Sequence, residues 1–179
     1  MRIQRIIVGE LEENCYILFD DIKKTCLIVD PGDEANKILE KIEGYELLAI
    51  LVTHTHDDHI GAIPDITNKY KVPIYDKENL SEGEKTIGTF IFDVIYTPGH
   101  KGDQIVFYFK HAAMMFVGDF IFKGSIGRID LPGGDPDKMK ESIGNILTYP
   151  KDITIFPGHG EITTLEQETR LLEYYYSII

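Results

Sequence analysis

"VTHTHDDHIGA", Val52–Ala62, closes the apolar run ELLAILV and gathers three of the chain's six histidines and two adjacent aspartates. An apolar run ending in such a cluster reads as a buried strand that delivers polar side chains at its tip. "ELLAILV" is too uniformly apolar for an edge strand, so its sheet is expected to be covered on both faces. A solvated loop needs polar residues, but it gains nothing from histidines two apart followed by an Asp-His pair. Imidazole and carboxylate at that spacing are metal donors.

The same arrangement recurs further along the chain. "DVIY" (93–96) runs into "TPGH", which ends at His100. "MMFV" (114–117) runs into Gly118 and Asp119, and "ITIF" (153–156) into "PGH", which ends at His159. Each apolar run stops at Gly, Pro or Thr and then presents a metal-competent side chain. Glycine permits the sharp turn and the close backbone approach. If these strands lie together in a core, their ends share one edge and their side chains converge. His54 and His56 could then bind one cation with His100, and Asp58 and His59 a second with His159. Asp119, with two carboxylate oxygens, could bridge both. Such ions sit ~3.5–4 Å apart and hold a hydroxide between them. Two divalent ions are expected; the donor set, with no thiolate, suits Zn, Fe or Mn without singling out zinc, and zinc is taken as the first choice.

Three neighbouring residues are read separately. Asp57 is expected to face solvent or to support the ligands from behind. Asp30, in "VDPG", either accepts a hydrogen bond from a ligating histidine or only forms the turn before Pro-Gly. His111, in the "KHA" turn, is expected at the surface with no role.

The totals limit the remaining classes. With 179 residues, 43% apolar and 27% charged, the chain fits one domain over residues 1–179 with a sizeable core. A formal charge of −12 repels phosphate backbones, so no nucleic-acid partner is expected. "MRIQRIIVGELEEN" does not read as a signal peptide. No apolar run approaches the ~18 residues of a membrane helix. A soluble, cytoplasmic protein without a membrane partner is expected. Cys15 and Cys26 flank a turn at Asp20-Asp21 and are read as buried free thiols, with a disulfide as the alternative.

"NCYILF", "TCLIVD", "VPIY", "TFIFDVIY", "QIVFYF", "AMMFV" and "DITIF" read as strands. Asp33 is expected to cap a helix carrying Ala35, Ile38, Leu39 and Ile42, ended by Gly44. Ile63, Ile66 and Tyr70 mark a second helix, with Pro64 in its first turns. Asp135 and Pro136 open a third, whose inner stripe is Met139, Ile143, Ile146 and Leu147. Thr163 and Glu166 are expected to form the capping box of a last helix through Tyr176. Strands that cluster, with helices between some of them, give an α/β sandwich of two sheets with helices outside. "LLEYYYSII" (171–179) places apolar and tyrosine residues on more than one helix face, and a homodimer contact would explain the second face.

"HTHDDH" (54–59), the isolated His100, the isolated Asp119 and the isolated His159, in that order, resemble the metallo-β-lactamase superfamily. The resemblance implies a four-layer αββα sandwich with a dinuclear metal site at one edge of the sheets. It implies His54, His56 and His100 on one metal, Asp58, His59 and His159 on the other, and Asp119 bridging. "GDFIFKGSIGRIDLPGGD" (118–135) and "PGHGEITTLEQE" (157–168) look like glyoxalase II and its short bacterial relatives. This implies a metal-dependent hydrolase of a small-molecule thioester, such as a hydroxyacyl-glutathione. The glycine-rich loop would lie on the substrate side, with Ser125 and Arg128 near the substrate; Asp58 is the candidate catalytic residue, and it or water could serve as a proton donor. Full-length glyoxalase II carries a further helical domain with glutathione contacts after the final ligand. This chain departs from that pattern, so the thiol carrier stays open.

The leaving group favours a thioester. A thiol of pKa ~8.5 departs as thiolate, whereas an amine needs a proton donor. Two rivals remain: an iron-dependent persulfide dioxygenase of the same fold, using His54, His100 and Asp119, and a non-catalytic metal-binding domain. A β-lactamase is disfavoured by the lack of an export signal, and a tRNA-processing nuclease by the acidic charge. A flavo-diiron reductase is disfavoured by His56 standing where an acidic residue is expected.

Overall fold

The computed structural model describes residues 1–179. One sheet contains β1 (Arg2–Val8), β2 (Glu13–Asp20), β3 (Thr25–Val29), β4 (Glu46–Leu51) and β5 (Ile74–Tyr75), side by side in that order. The second contains β6 (Gly83–Ile87), β7 (Phe90–Tyr96), β8 (Ile105–Phe109) and β9 (Met114–Gly118). A hairpin of β10 (Ile121–Phe122) and β11 (Ser125–Ile126) follows, and β12 (Thr154–Pro157) and β13 (Thr163–Thr164) complete the second sheet beside β9. The helices are α1 (Ala35–Lys41), α2 (Asp57–Ile60), α3 (Ile63–Lys69), α4 (Pro136–Ile146) and α5 (Leu165–Ile178).

Two-residue periodicity sorts the apolar side chains into three layers. β2 sends Cys15, Ile17 and Phe19 outward, against Ile38 and Leu39 of α1 and Ile66 of α3. It sends Tyr16 and Leu18 inward, against Phe107, Phe116 and Phe156 of the second sheet. β9 turns Met115 and Val117 outward against Met139, Ile143 and Ile146 of α4 and Leu172 of α5. The order of layers is therefore helix, sheet, sheet, helix, as expected for an αββα sandwich. The inter-sheet layer is aromatic at its centre. Phe116 stacks on Phe156 at 4.8 Å and meets the edge of Tyr16 at 5.3 Å.

The strand directions place the site. β1, β2 and β3 are antiparallel neighbours, and β4 then runs parallel to β3 after the crossover through α1. β7, β8 and β9 are antiparallel neighbours, and β12 runs parallel to β9 after the crossover through α4. The carboxyl ends of β3 and β4 thus share one edge of the first sheet, and those of β7, β9 and β12 one edge of the second. Hydrogen bonds between the sheets fasten these edges together. Ile105 N–H donates to the Thr53 carbonyl at 2.9 Å, and Asn14 N–H to the Gly158 carbonyl at 2.7 Å. The Asn14 side chain donates to the carbonyls of Pro157 and Gly160, both at 3.0 Å, and the Tyr16 hydroxyl to Pro157 at 2.7 Å.

Several local expectations are corrected. The residue before α1 is Glu34, in the left-handed region at φ 49°, while Asp33 accepts only from the adjacent Glu34 N–H. Thr164, not Thr163, caps α5 by accepting from Gln167 N–H, so the cap is displaced by one residue. Thr163 instead donates to Glu168 at 2.6 Å. Asp135 caps α4 as expected, accepting from Lys138 N–H at 3.0 Å. Cys15 and Cys26 are both buried free thiols. Cys26 pairs with Phe19, four residues along β2 from Cys15, and this register keeps the two sulfurs apart. α5 buries Leu165 and Leu172 and leaves Tyr174, Tyr176 and Ile178 exposed. No helix is long and apolar enough to cross a membrane.

The inter-sheet aromatic cluster gives a stability test. Phe116 is 1% exposed and touches rings from three other strands. Phe116→Ala should destabilise the fold by about 3–5 kcal/mol through lost burial and the cavity left behind. In urea titrations this should read as a lower midpoint with an unchanged slope.

Candidate metal centre

β4 ends at Leu51, and two further residues carry the chain to His54, which is 1% exposed. The backbone is extended at His56 and then makes the single turn of α2. That turn brings His59 fully inside and Asp58 to the same wall, while Asp57 faces solvent. His100 follows β7 in a turn held against α4, where Asp135 N–H donates to the Gly99 carbonyl at 2.8 Å and the Ser142 hydroxyl to Pro98 at 2.7 Å. Asp119 follows β9, and His159 follows β12 in the turn that Asn14 anchors.

All seven expected residues meet at one sheet edge, in two groups. His56 Nδ1 lies 2.9 Å from His54 Nε2 and 3.0 Å from His100 Nε2. His159 Nε2 lies 3.1 Å from Asp58 Oδ2, and His59 Nε2 3.8 Å from the same oxygen. Asp119 stands between the groups. Its Oδ1 is 3.3 Å from His59 Nε2, and its Oδ2 is 3.6 Å from His100 Nε2 and 3.7 Å from His159 Nε2.

The outer nitrogens decide which way the lone pairs point. His100 Nδ1–H donates to the Arg128 carbonyl at 2.8 Å, and His159 Nδ1–H to the Leu11 carbonyl at 3.0 Å. His59 Nδ1–H donates to Asp30 Oδ2 at 3.0 Å. The Thr53 hydroxyl donates to Asp30 Oδ2 at 2.6 Å, so it can only accept from His54 Nδ1–H, 3.1 Å away. Four Nε2 lone pairs are thereby turned inward. Lone pairs at ~3 Å repel unless a cation or proton lies between them. His59 Nε2 and Asp119 Oδ1 are buried and make no hydrogen bond. Orphaned buried donors and acceptors of this kind mark the place of an ion. Both groups fit a divalent cation of the borderline class, bound by nitrogen and oxygen alone.

The electrostatics agree. Burial, reinforced by the neighbouring imidazoles His59 and His100, pushes His54 well below the ordinary histidine pKa and keeps it neutral. Burial also opposes a charged His59, but the adjacent Asp119 and Asp30 carboxylates outweigh it and push that pKa well up. When His159 also carries a proton on Nε2, as it can without a cation, its hydrogen bond holds Asp58 at about 2. In the metal-free chain a proton on His59 therefore occupies a position suited to a cation, and metal binding has to displace it.

Above the centre lies a cleft of about 760 Å³, lined on its apolar side by Leu11, Phe122, Ile126 and Leu131 and on its polar side by Ser125 and Arg128. The Arg128 guanidinium turns away to Asp130, making two bonds of 2.8 Å. Gly158 closes the floor. A Cβ there would overlap the Asp119 carboxylate and stand 2.6 Å from His59 Cε1.

Five contributors to the site escape the sequence reading. The carbonyls of Leu11 and Arg128 have no side-chain signature. The Thr53 hydroxyl reads only as a turn residue. Asn14 is a buried amide in an otherwise apolar strand, a signal that could have been taken. Glu13 is 1% exposed, with neither carboxylate oxygen hydrogen-bonded, and its Oε1 is 3.9 Å from His59 Nδ1. Burial pushes its pKa well up. His111 is exposed, as expected.

Known proteins can now be compared with this geometry. The family model described as "Metallo-beta-lactamase superfamily" matches residues 8–80 and 76–159. The "Probable metallo-hydrolase YqgX" of Bacillus subtilis is 34% identical over 94% of each chain. The "Hydroxyacylglutathione hydrolase GloC" of Haemophilus influenzae is 33% identical over 95% of this chain and 96% of its own. Among solved structures, the BLEG-1 B3 metallo-β-lactamase superposes with a TM-score of 0.91 at 32% identity, covering 97% of this chain and 99% of that one. TTHA1623 in a di-iron-bound form superposes with a TM-score of 0.84 at 32% identity, covering 93% and 97%. The matched span runs from the end of β1 to His159 and includes both ligand groups: this chain belongs to the metallo-β-lactamase superfamily.

Proposed function

We propose that residues 1–179 act as one domain that hydrolyses a small-molecule thioester with two divalent cations. The observation that carries this reading is the pair of ligand groups spanned by Asp119, whose Oδ1 faces His59 and whose Oδ2 faces His100 and His159. His54, His56 and His100 would hold one cation, Asp58, His59 and His159 the other, and Asp119 both. Zinc is the first choice, and iron or manganese suits the same donors. When bound, such cations lower the pKa of coordinated water to about 7 and draw electron density from a carbonyl oxygen.

The chain's own groups do the rest. Asp30, through His59 and Thr53, and the carbonyls of Leu11 and Arg128 fix the imidazoles before substrate arrives. Asp58, as a ligand of the second cation, would be a carboxylate with no proton to give. The Arg128 guanidinium is tied to Asp130. The cleft therefore offers a leaving group no strong proton donor, which favours a thiolate over an amine. The apolar wall of Leu11, Phe122, Ile126 and Leu131 would take the carbon skeleton, and Ser125 would meet its polar atoms. A hydroxyacyl thioester fits this division, as does the name of the Haemophilus influenzae relative. A persulfide dioxygenase needs one ion on His54, His100 and Asp119 and would leave the Asp58, His59 and His159 group without a use.

Elemental analysis of protein purified without added metal should find two divalent ions per chain, and the chain should cleave a 2-hydroxyacyl thioester. Full activity in a metal-free preparation would overturn the reading. One iron per chain with oxygen uptake on a persulfide would replace it with the dioxygenase. His59→Ala should drop metal content to about one ion and cut the rate by more than the roughly 10–100-fold typical of losing an outer partner of a ligand. Gly158→Ala should lower metal content as well, because its methyl group intrudes between Asp119 and His59. Unchanged stoichiometry in that variant would show that the floor yields.

A further inference from the structure

One imidazole of the centre lacks the outer anchor that the others have. His54, His59, His100 and His159 each donate their outer nitrogen to a fixed acceptor. His56 presents Nδ1 to its neighbours instead, and its Nε2 has no protein partner. The ring is only partly buried and lines the cleft. Its position is therefore set by the backbone that carries it.

That backbone is clamped at the preceding residue. Thr55 N–H donates to Asp103 Oδ2 at 3.1 Å, and the Thr55 hydroxyl donates to the same oxygen at 2.5 Å. Lys101 Nζ donates to the Thr55 hydroxyl at 2.5 Å and lies 3.6 Å from Asp103 Oδ2. Lys101 and Asp103 belong to the loop from His100 to β8. Lys77 Nζ ties that loop down by donating to the Gly102 carbonyl at 2.5 Å. The clamp thus joins the segment that carries His56 to the one that carries His100, whose ring nitrogens stand 3.0 Å apart. The other Asp103 oxygen, Oδ1, is buried without a partner. A carboxylate with one orphaned oxygen is not placed there for its own solvation. Its satisfied oxygen is spent wholly on Thr55 and Lys101.

We infer that Asp103 is a positioning residue for His56, acting through Thr55 to hold the third imidazole of the His54, His56 and His100 group; the inference rests on the two-cation reading above. Without the clamp, Thr55 is free to exchange its bonds for water, and His56 gains range with no outer bond to limit it. The affinity of that group alone should fall.

The test uses the full chain, stripped by a chelator and titrated with Co²⁺, followed by visible absorption and elemental analysis. Wild-type protein should take up two ions. Asp103→Ala should weaken one of the two steps by about 10–100-fold and leave the other, and the thermal midpoint, unchanged. Asp103→Asn keeps an oxygen able to accept from both Thr55 donors and should restore the weakened step. Thr55→Val keeps only the N–H bond and should fall between. Two wild-type steps in Asp103→Ala would overturn the inference alone. So would a parallel weakening of both steps with a lowered thermal midpoint, since that would mark a general structural role. A wild-type chain that takes up no Co²⁺ would overturn the two-cation reading, and the inference with it.

Discussion

A single buried carboxylate touches both halves of the centre. Asp30 is 2% exposed and accepts from Thr53 N–H at 2.7 Å, from the Thr53 hydroxyl at 2.6 Å and from His59 Nδ1–H at 3.0 Å. Because the hydroxyl gives its proton to Asp30, it must accept from His54, so one side chain sets the tautomer of an imidazole in each group. Its backbone is in the left-handed region at φ 48°, a cost of about 1–3 kcal/mol for a non-glycine residue. The cost is offset by the bonds made there: both side-chain oxygens accept, and the Asp30 N–H also donates to the Leu51 carbonyl at 3.0 Å. The two readings of Asp30, partner of a histidine and former of the Asp-Pro-Gly bend, are met together, and the site is aligned from this turn.

The fold supplies the rest of that alignment. A parallel pair brings two carboxyl-terminal strand ends to one edge; the first sheet contains two such pairs, β3–β4 and β4–β5, and the second contains one, β9–β12, each around a helical crossover. Chain ends there have free backbone groups and no ladder to continue, so loops carrying polar side chains are accommodated easily. The centre sits on the seam between the sheets. Asn14 and Tyr16, from the first sheet, hold the Pro157–Gly160 turn of the second. The His159 position therefore depends on how the two sheets dock, and the aromatic layer between them is as much a part of the site as its ligands.

The strand tips could be read from the sequence because their signal is local. An apolar run, a Gly, Pro or Thr, and a donor side chain follow one another within a few residues at His54, His100, Asp119 and His159. The sorting of those donors into two groups is one option among the converging tips and becomes definite only with the family resemblance, since no spacing records which tips face each other. The outer anchors were largely illegible. A carbonyl of Leu11 or Arg128 looks like any other, and its use depends on contacts far away in sequence. β1 and β6 escaped because edge strands carry charged residues on one face, as in "RIQRIIV" and "GEKTI". The cap of α5 slipped by one residue because Thr163 and Thr164 are the same type. What separates them is tertiary: Thr163 is buried beneath Glu168.

The charges around the centre also fit its proposed use. Asp58 is held ionised by His159, Asp119 lies below the ordinary carboxylate range, and Asp30 accepts three hydrogen bonds as a carboxylate does. Glu13 is the exception. Burial raises its pKa, so the neutral acid is the favoured form in a pocket where its oxygens find no donor. Two divalent cations there would set four positive charges against the carboxylates of Asp30, Asp58 and Asp119, in a chain whose overall charge is −12. Cations that bind only the folded chain also stabilise it, by about 2.7 kcal/mol at a hundredfold excess over the dissociation constant. The inward lone pairs and orphaned oxygens, unfavourable in the empty site, thus become stabilising once the site is filled.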